Sequence, residues 1–209
     1  MRIELRETLR LAGPLVLANL LQMLVYAIDV IFVARLGTEA LASASLATSL
    51  FGLLVWSSSG LTGSAVSLIA AELGRGNHAL REVRRSLRMA LWLAGMAGLA
   101  GMAICSFGER IMLFTGQEPP VAARAGSFLL LLMWSLVPQV ACNVLRGFVA
   151  ALGKPLVATV ITALAIVINA VGNYAFVFGH FGAPAMGLEG SALSTSIAFF
   201  TMNSMERKP

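Results

Sequence analysis

The chain is written in long apolar runs separated by short polar ones. A helix rises 1.5 Å per residue, so about 20 mostly apolar residues are needed to cross a bilayer. Five segments meet that length, at roughly 9–34, 46–73, 89–107, 125–146 and 156–178. A sixth opens at "SALSTSIAFFTM" (191–202) and runs for about 12 apolar residues, short of a crossing, before the polar tail 203–209. The connections "RLGTEA", "GRGNHALREVRR", "TGQEPP", "ALGKP" and "GHFGAPAMGLEG" are rich in Gly, Pro and charge. This pattern predicts an all-α, polytopic membrane helix bundle over 1–209, with five full transmembrane helices and a truncated sixth. The first apolar run is longer than a signal-peptide core and lacks an A-x-A-like site. Its charged flank mixes Glu4 and Glu7 with arginines, so it reads as a retained first helix.

Composition agrees with the pattern. The chain is 58% hydrophobic and 12% charged, whereas soluble domains are about half apolar and about a quarter charged. The net charge of +5 therefore reads through loop topology. On one side fall Arg2, Arg6, Arg10, Arg75, Arg81, Arg84, Arg85, Arg88, Arg146, Lys154, Arg207 and Lys208, and on the other Arg35, Arg110 and Arg124. Twelve against three places the N-terminus in the cytoplasm. The basic residues are not interleaved with aromatics, which argues against nucleic acid as a partner and leaves the lipid bilayer. Cys105 and Cys142 lie in apolar segments without C-x-x-C spacing and read as buried thiols. Both histidines are in loops, and no metalloprotease, nucleophile-elbow, Walker or dinucleotide pattern occurs in context. No enzyme, catalytic residue, cofactor or structural metal is expected.

Polar positions inside the spans carry the remaining information. Asp29 is the only acid well inside one, where a central Asp costs about 2.5–3.5 kcal/mol, so it must face a bundle interior or cavity. Asn19, Gln22, Tyr26 and Asp29 are spaced +3, +4 and +3 and share one helix face. Thr162, Asn169 and Asn173 form a second stripe, spaced +7 and +4 on the fifth segment. Asp29 and Asn173 each precede the outer end of their segment by about five residues, which puts them at one depth. A carboxylate and two amides there make either a hard-oxygen cation site or a carboxyl whose proton affinity follows the same contacts. Ser135, Gln139, Asn143 and Arg146 share a flank of the fourth segment, beside a kink expected at Pro138. Ser135, Gln139 and Asn143 are cavity-lining candidates with Asn19, Gln22, Tyr26 and Thr162, whereas Arg146 reads as a snorkelling cytoplasmic-end residue. The run "WSSSGLTGSAVS" (56–67) either lines an aqueous cavity or bonds back to its own helix. Gly95, Gly98 and Gly101 read as helix-packing positions.

Several stretches resemble a known family. The first segment's P…Q…D…RLG, the "AAELGRGN" closing the second, and "INAVGNYAFVFGHFGAPAMGLEGSALSTSI" are similar to the multidrug and toxic compound extrusion (MATE) transporters, in their NorM-like branch. The resemblance covers about 1–200, and its most specific part is the Asn-x-x-x-Asn-Tyr-x-Phe-x-x-Gly stretch. It implies an antiporter of two six-helix lobes that exports organic cations and drugs against Na⁺ or H⁺. The coupling ion would then sit at Asp29 with Asn169 and Asn173, and no other cofactor would be needed. An aspartate commonly stands at the position of Asn173 in the DinF-like branch, so that branch's site chemistry does not carry over. The resemblance further implies a truncated N-terminal lobe that lacks its C-terminal partner lobe in cis. The alternatives are a non-transporting membrane remnant and a half-transporter that homodimerises.

Overall fold

The computed structural model of the chain describes residues 2–74, 79–153 and 155–206. Arg75, His78, Lys154, Arg207 and Lys208, which enter the readings above, lie outside the described residues. The helices are α1 (Arg2–Ala34), α2 (Thr38–Gly74), α3 (Ala79–Ser106), α4 (Gly108–Phe114), α5 (Pro119–Leu132), α6 (Leu136–Ala151), α7 (Pro155–Phe178) and α8 (Leu188–Glu206). Among the described residues, five stretches are long and apolar enough to cross a membrane: Val16–Ala34, Thr38–Ala71, Arg81–Ser106, Pro119–Ala151 and Leu156–Phe178. The chain is a multi-pass membrane helix bundle.

The fourth crossing is α5 and α6 joined by a 3₁₀ turn, Met133–Ser135. Pro138 explains the join. Its ring removes a backbone donor and crowds the carbonyl four residues back, which is Trp134, so the ladder tightens just ahead of the proline. The centre of the bundle is built on this crossing, where Leu129, Leu136, Val140 and Val144 are fully buried with Phe51 of α2. Apolar side chains on the outer faces are exposed instead, among them Leu20 and Ile31 on α1, Trp92 and Met96 on α3, and Val160 and Val171 on α7. With lipid as the surrounding solvent these faces need no protein cover.

Two features depart from the sequence pattern. The short α4 follows a single turn residue, Phe107, after α3 and was not expected. The last helix runs from Leu188 to Glu206, 19 residues, and so is longer than the apolar stretch 191–202. The added residues are its two ends, 188–190 and 203–206, mostly polar or small positions that a count of apolar residues leaves out. Between them Ser191, Ser194, Thr195 and Ser196 face the bundle and are buried.

Close packing follows from small residues. A Cβ on Gly98 would sit 2.7 Å from Val137 Cγ2, and one on Gly101 would sit 3.1 Å from Leu136 Cδ1, so both hold α3 against the start of α6. Gly95 faces open space. Between α7 and α8, a Cβ on Gly190 would lie 2.9 Å from the backbone N of Val177, and one on Gly172 would lie 3.1 Å from Ser194 Cβ. Backbones this close bring the polar face of α8 onto the polar face of α7.

Candidate functional site

The polar stripes of α1, α6, α7 and α8 meet in the bundle interior. At one end is Asp29. Its Oδ1 accepts from Asn173 Nδ2 at 2.6 Å, and its Oδ2 accepts from Thr195 Oγ1 at 3.1 Å. Asn173 Nδ2 also reaches Asn169 Oδ1 at 3.1 Å, and Asn169 Nδ2 reaches Thr195 Oγ1 at 3.2 Å. The four residues close a small network in which every described partner of the carboxylate is neutral. Asp29 is half-buried, and a partly desolvated charge without a charged partner is costly. Asn169 and Asn173 are fully buried, and Asn173 Oδ1 has no hydrogen-bond partner. Turning that amide over would present the orphaned oxygen to a cation on Asp29.

From Asp29 the α1 stripe continues as rungs to α6. Gln139 Nε2 donates to the Tyr26 hydroxyl at 2.9 Å, and the Arg146 guanidinium donates through Nη1 to Gln22 Oε1. The α1 numbers rise as the α6 numbers fall, so the two stripes run antiparallel. Asn143 bonds to α2 instead, its Nδ2 donating to Ser59 Oγ at 2.9 Å. These residues border a cavity of about 800 Å³ between α1 and α2, with α6 and α8 at its back. Asn19, Gln22, Tyr26, Asp29, Gln139 and Asn143 all line it, with aromatic surface from Phe51, Trp56, Phe128 and Phe199. A few polar groups on a largely apolar and aromatic wall is the make-up of a small-molecule pocket.

Four sequence readings change here. Thr162 does not line the cavity; it is buried and its hydroxyl donates to the carbonyl of Ala158 at 2.8 Å, within its own helix. Ser135 does not line it either, being fully buried with its hydroxyl donating to the carbonyl of Leu132 at 2.6 Å. Arg146 does not snorkel. It is 8% exposed, turned inward onto the cavity wall, because Gln22 offers it an oxygen inside the bundle. The serine-rich run of α2 divides between its two readings. Ser57, Ser58, Thr62, Ser64 and Ser67 bond to carbonyls of their own helix, whereas Ser59 lines the cavity and takes the Asn143 bond.

Thr195 was missed from sequence although it binds Asp29 directly. Its signal was the +4 spacing of Ser191 and Thr195, which puts two hydroxyl residues on one face of α8, and both line the cavity.

Comparison with known proteins gives one consistent picture. The family model MatE matches residues 14–175. "Probable multidrug resistance protein NorM" of Brucella suis is 42% identical over 193 residues, covering 92% of this chain and 41% of that protein. The protein of the same name from Mesorhizobium japonicum is 41% identical over 197 residues, covering 94% and 42%. The solved structure of the Vibrio cholerae MATE transporter VcmN in the bent form superposes with a TM-score of 0.83 at 17% identity, covering 96% of this chain and 45% of that one. This chain thus spans about two-fifths of the length of the curated relatives it matches.

Proposed function

The chain belongs to the MatE family, and from that premise we propose that it forms the ion- and drug-binding lobe of a multidrug efflux antiporter rather than an enzyme. The observation that supports this most is Asp29, a carboxylate met by neutral donors on the wall of an aromatic-lined cavity. In this reading Na⁺ or H⁺ occupies Asp29, with Asn173 and Thr195 as oxygen partners and Asn169 holding both in place. An organic cation in the cavity competes with that ion through the same carboxylate. A ligand shifts a conformational equilibrium only through differential affinity, and competition at one carboxylate supplies it. The second lobe that alternating access requires is a partner of this chain, and the bilayer is its solvent. The charge asymmetry of the loops puts the N-terminus on the cytoplasmic side of the plasma membrane.

The test uses the chain purified in lipid nanodiscs with a fluorescent organic cation as probe. Raising Na⁺ or lowering pH is expected to weaken probe binding in the wild type, and Asp29→Asn is expected to remove that dependence. An Asp29→Asn protein that keeps the wild-type ion dependence would sink the assignment of the coupling site.

A further inference from the structure

The outer face of α3 carries a charge that the cavity does not use. Arg81, Arg84, Arg85 and Arg88 are all exposed, and their spacing of i, i+3, i+4 and i+7 puts them on one stripe of the helix. At about 100° per residue this stripe lies opposite Val83, Ala90 and Ala94, which are buried. Followed along α3, the same stripe becomes Trp92, Met96 and Leu99, all of them exposed. Four cations thus give way to lipid-facing apolar surface within one turn, with Trp92 about 6 Å beyond Arg88 along the axis. Tryptophans concentrate at the level where headgroups meet hydrocarbon.

The protein does not meet this charge itself. Among the described residues the one ion pair is Arg124 with Glu39, which involves none of the four arginines. Glu82, the acid of the same turn, lies about 100° round the helix from Arg81. The opposite charge therefore comes from outside the chain, at the level where the arginines end and the apolar surface begins. A phospholipid phosphate stands at that level, joined to acyl chains that continue along the apolar half of the stripe. A soluble anion matches the arginines alone.

We infer that the α3 stripe binds an anionic phospholipid, its phosphate paired with Arg84, Arg85 and Arg88 and an acyl chain laid along Trp92, Met96 and Leu99. Guanidinium and phosphate pair through two parallel hydrogen bonds, which adds geometry to the attraction. In the orientation proposed above, this end of α3 lies in the cytoplasmic leaflet, where basic segments draw anionic lipid. No residue of α3 lines the cavity, so lipid binding here is independent of what the cavity takes.

The test uses Trp92 as a local reporter. The tryptophans are Trp56, Trp92 and Trp134. Trp56→Phe with Trp134→Phe leaves Trp92 alone, whereas Trp56→Phe with Trp92→Phe leaves Trp134, exposed in the turn of the fourth crossing, as the control. Each protein is placed in phosphatidylcholine nanodiscs with a small fixed fraction of lipid bearing dibrominated acyl chains, which quench only a tryptophan they touch. Brominated phosphatidylglycerol is expected to quench Trp92 as if enriched about fivefold or more over brominated phosphatidylcholine. Trp134 is expected to show no enrichment. This comparison leaves every arginine in place, so it does not depend on the folding of an arginine variant. Adding Arg84→Gln and Arg88→Gln to the Trp92 protein should bring its enrichment down to that of Trp134, with quenching by the phosphatidylcholine unchanged. Equal quenching of Trp92 by the two lipids, equal enrichment at Trp92 and Trp134, or enrichment that survives the glutamine pair overturns the site. Enrichment abolished by inorganic phosphate, at an ionic strength matched with sodium chloride, assigns the arginines to a soluble anion and also overturns it.

Discussion

At the scale of single residues, the site depends on which groups complete one another's hydrogen bonds. Thr195 is the clearest case, since its hydroxyl donates to Asp29 Oδ2 and accepts from Asn169 Nδ2. Thr195→Val keeps the shape and removes both bonds. It should cost about 1–3 kcal/mol for the buried groups left unmet, read as a lower melting temperature in detergent. Thr195→Ser retains the oxygen and should recover most of that loss. If valine melts like wild type, the network is not holding the carboxylate. The same logic explains what the sequence could show about these side chains. The +3, +4, +3 stripe ending at Asp29 was readable because an acid in an apolar run has few tolerable orientations. Arg146 was misread because its inward turn depends on Gln22, a residue 124 positions away in the chain. No local pattern reports such a partner.

At the scale of helices, the polar faces meet because glycines let backbones approach. Gly190 is the sharpest example, with Val177 N 2.9 Å from where a Cβ would stand. Gly190→Val should push α8 away from α7, destabilise the fold by about 1–3 kcal/mol through overpacking, and lower the ion sensitivity of probe binding, because Thr195 rides on α8. Gly95→Val meets open space and should be near neutral in the same melt, which serves as the control. An unchanged melt for Gly190→Val would mean that the α7–α8 contact is looser than the structure has it. Helix existence was legible from sequence for a related reason. Five long apolar runs had no alternative to crossing, because lipid leaves backbone polar groups only internal partners. The last helix was read short because a count of apolar residues stops at Met202, whereas the helix takes in its polar and small ends at 188–190 and 203–206. The short α4 was likewise invisible, a 7-residue helix lacking the length for a periodic signal.

For the whole molecule, the geometry separates binding from transport. The described cavity holds a carboxylate, a guanidinium and aromatic surface, the groups on which the proposed binding of a substrate and an ion rests. Coupled export needs more, namely two states that expose this cavity to opposite sides of the membrane. Within one bundle the cavity opens between α1 and α2, where the exposed apolar residues Met23, Val30 and Trp56 line it. Rocking of one lobe against another is the economical way to move such an opening, and the relatives are more than twice the length that this chain matches. Two outcomes are therefore expected in an efflux-deficient host. The 209-residue chain expressed by itself should bind a fluorescent cation in membranes yet give no energy-dependent efflux. Joined to the remaining length of a NorM relative, the same residues should restore efflux, and Asp29→Asn in that fusion should abolish its dependence on the ion gradient. Efflux by the chain alone would point instead to a homodimer rebuilding two lobes, which a cross-linked pair on a gel would show directly. Failure of the fusion with binding intact would mean that the cavity is a binding site without a transport cycle. In the proposed function, then, binding belongs to these helices and transport to their pairing with a second set.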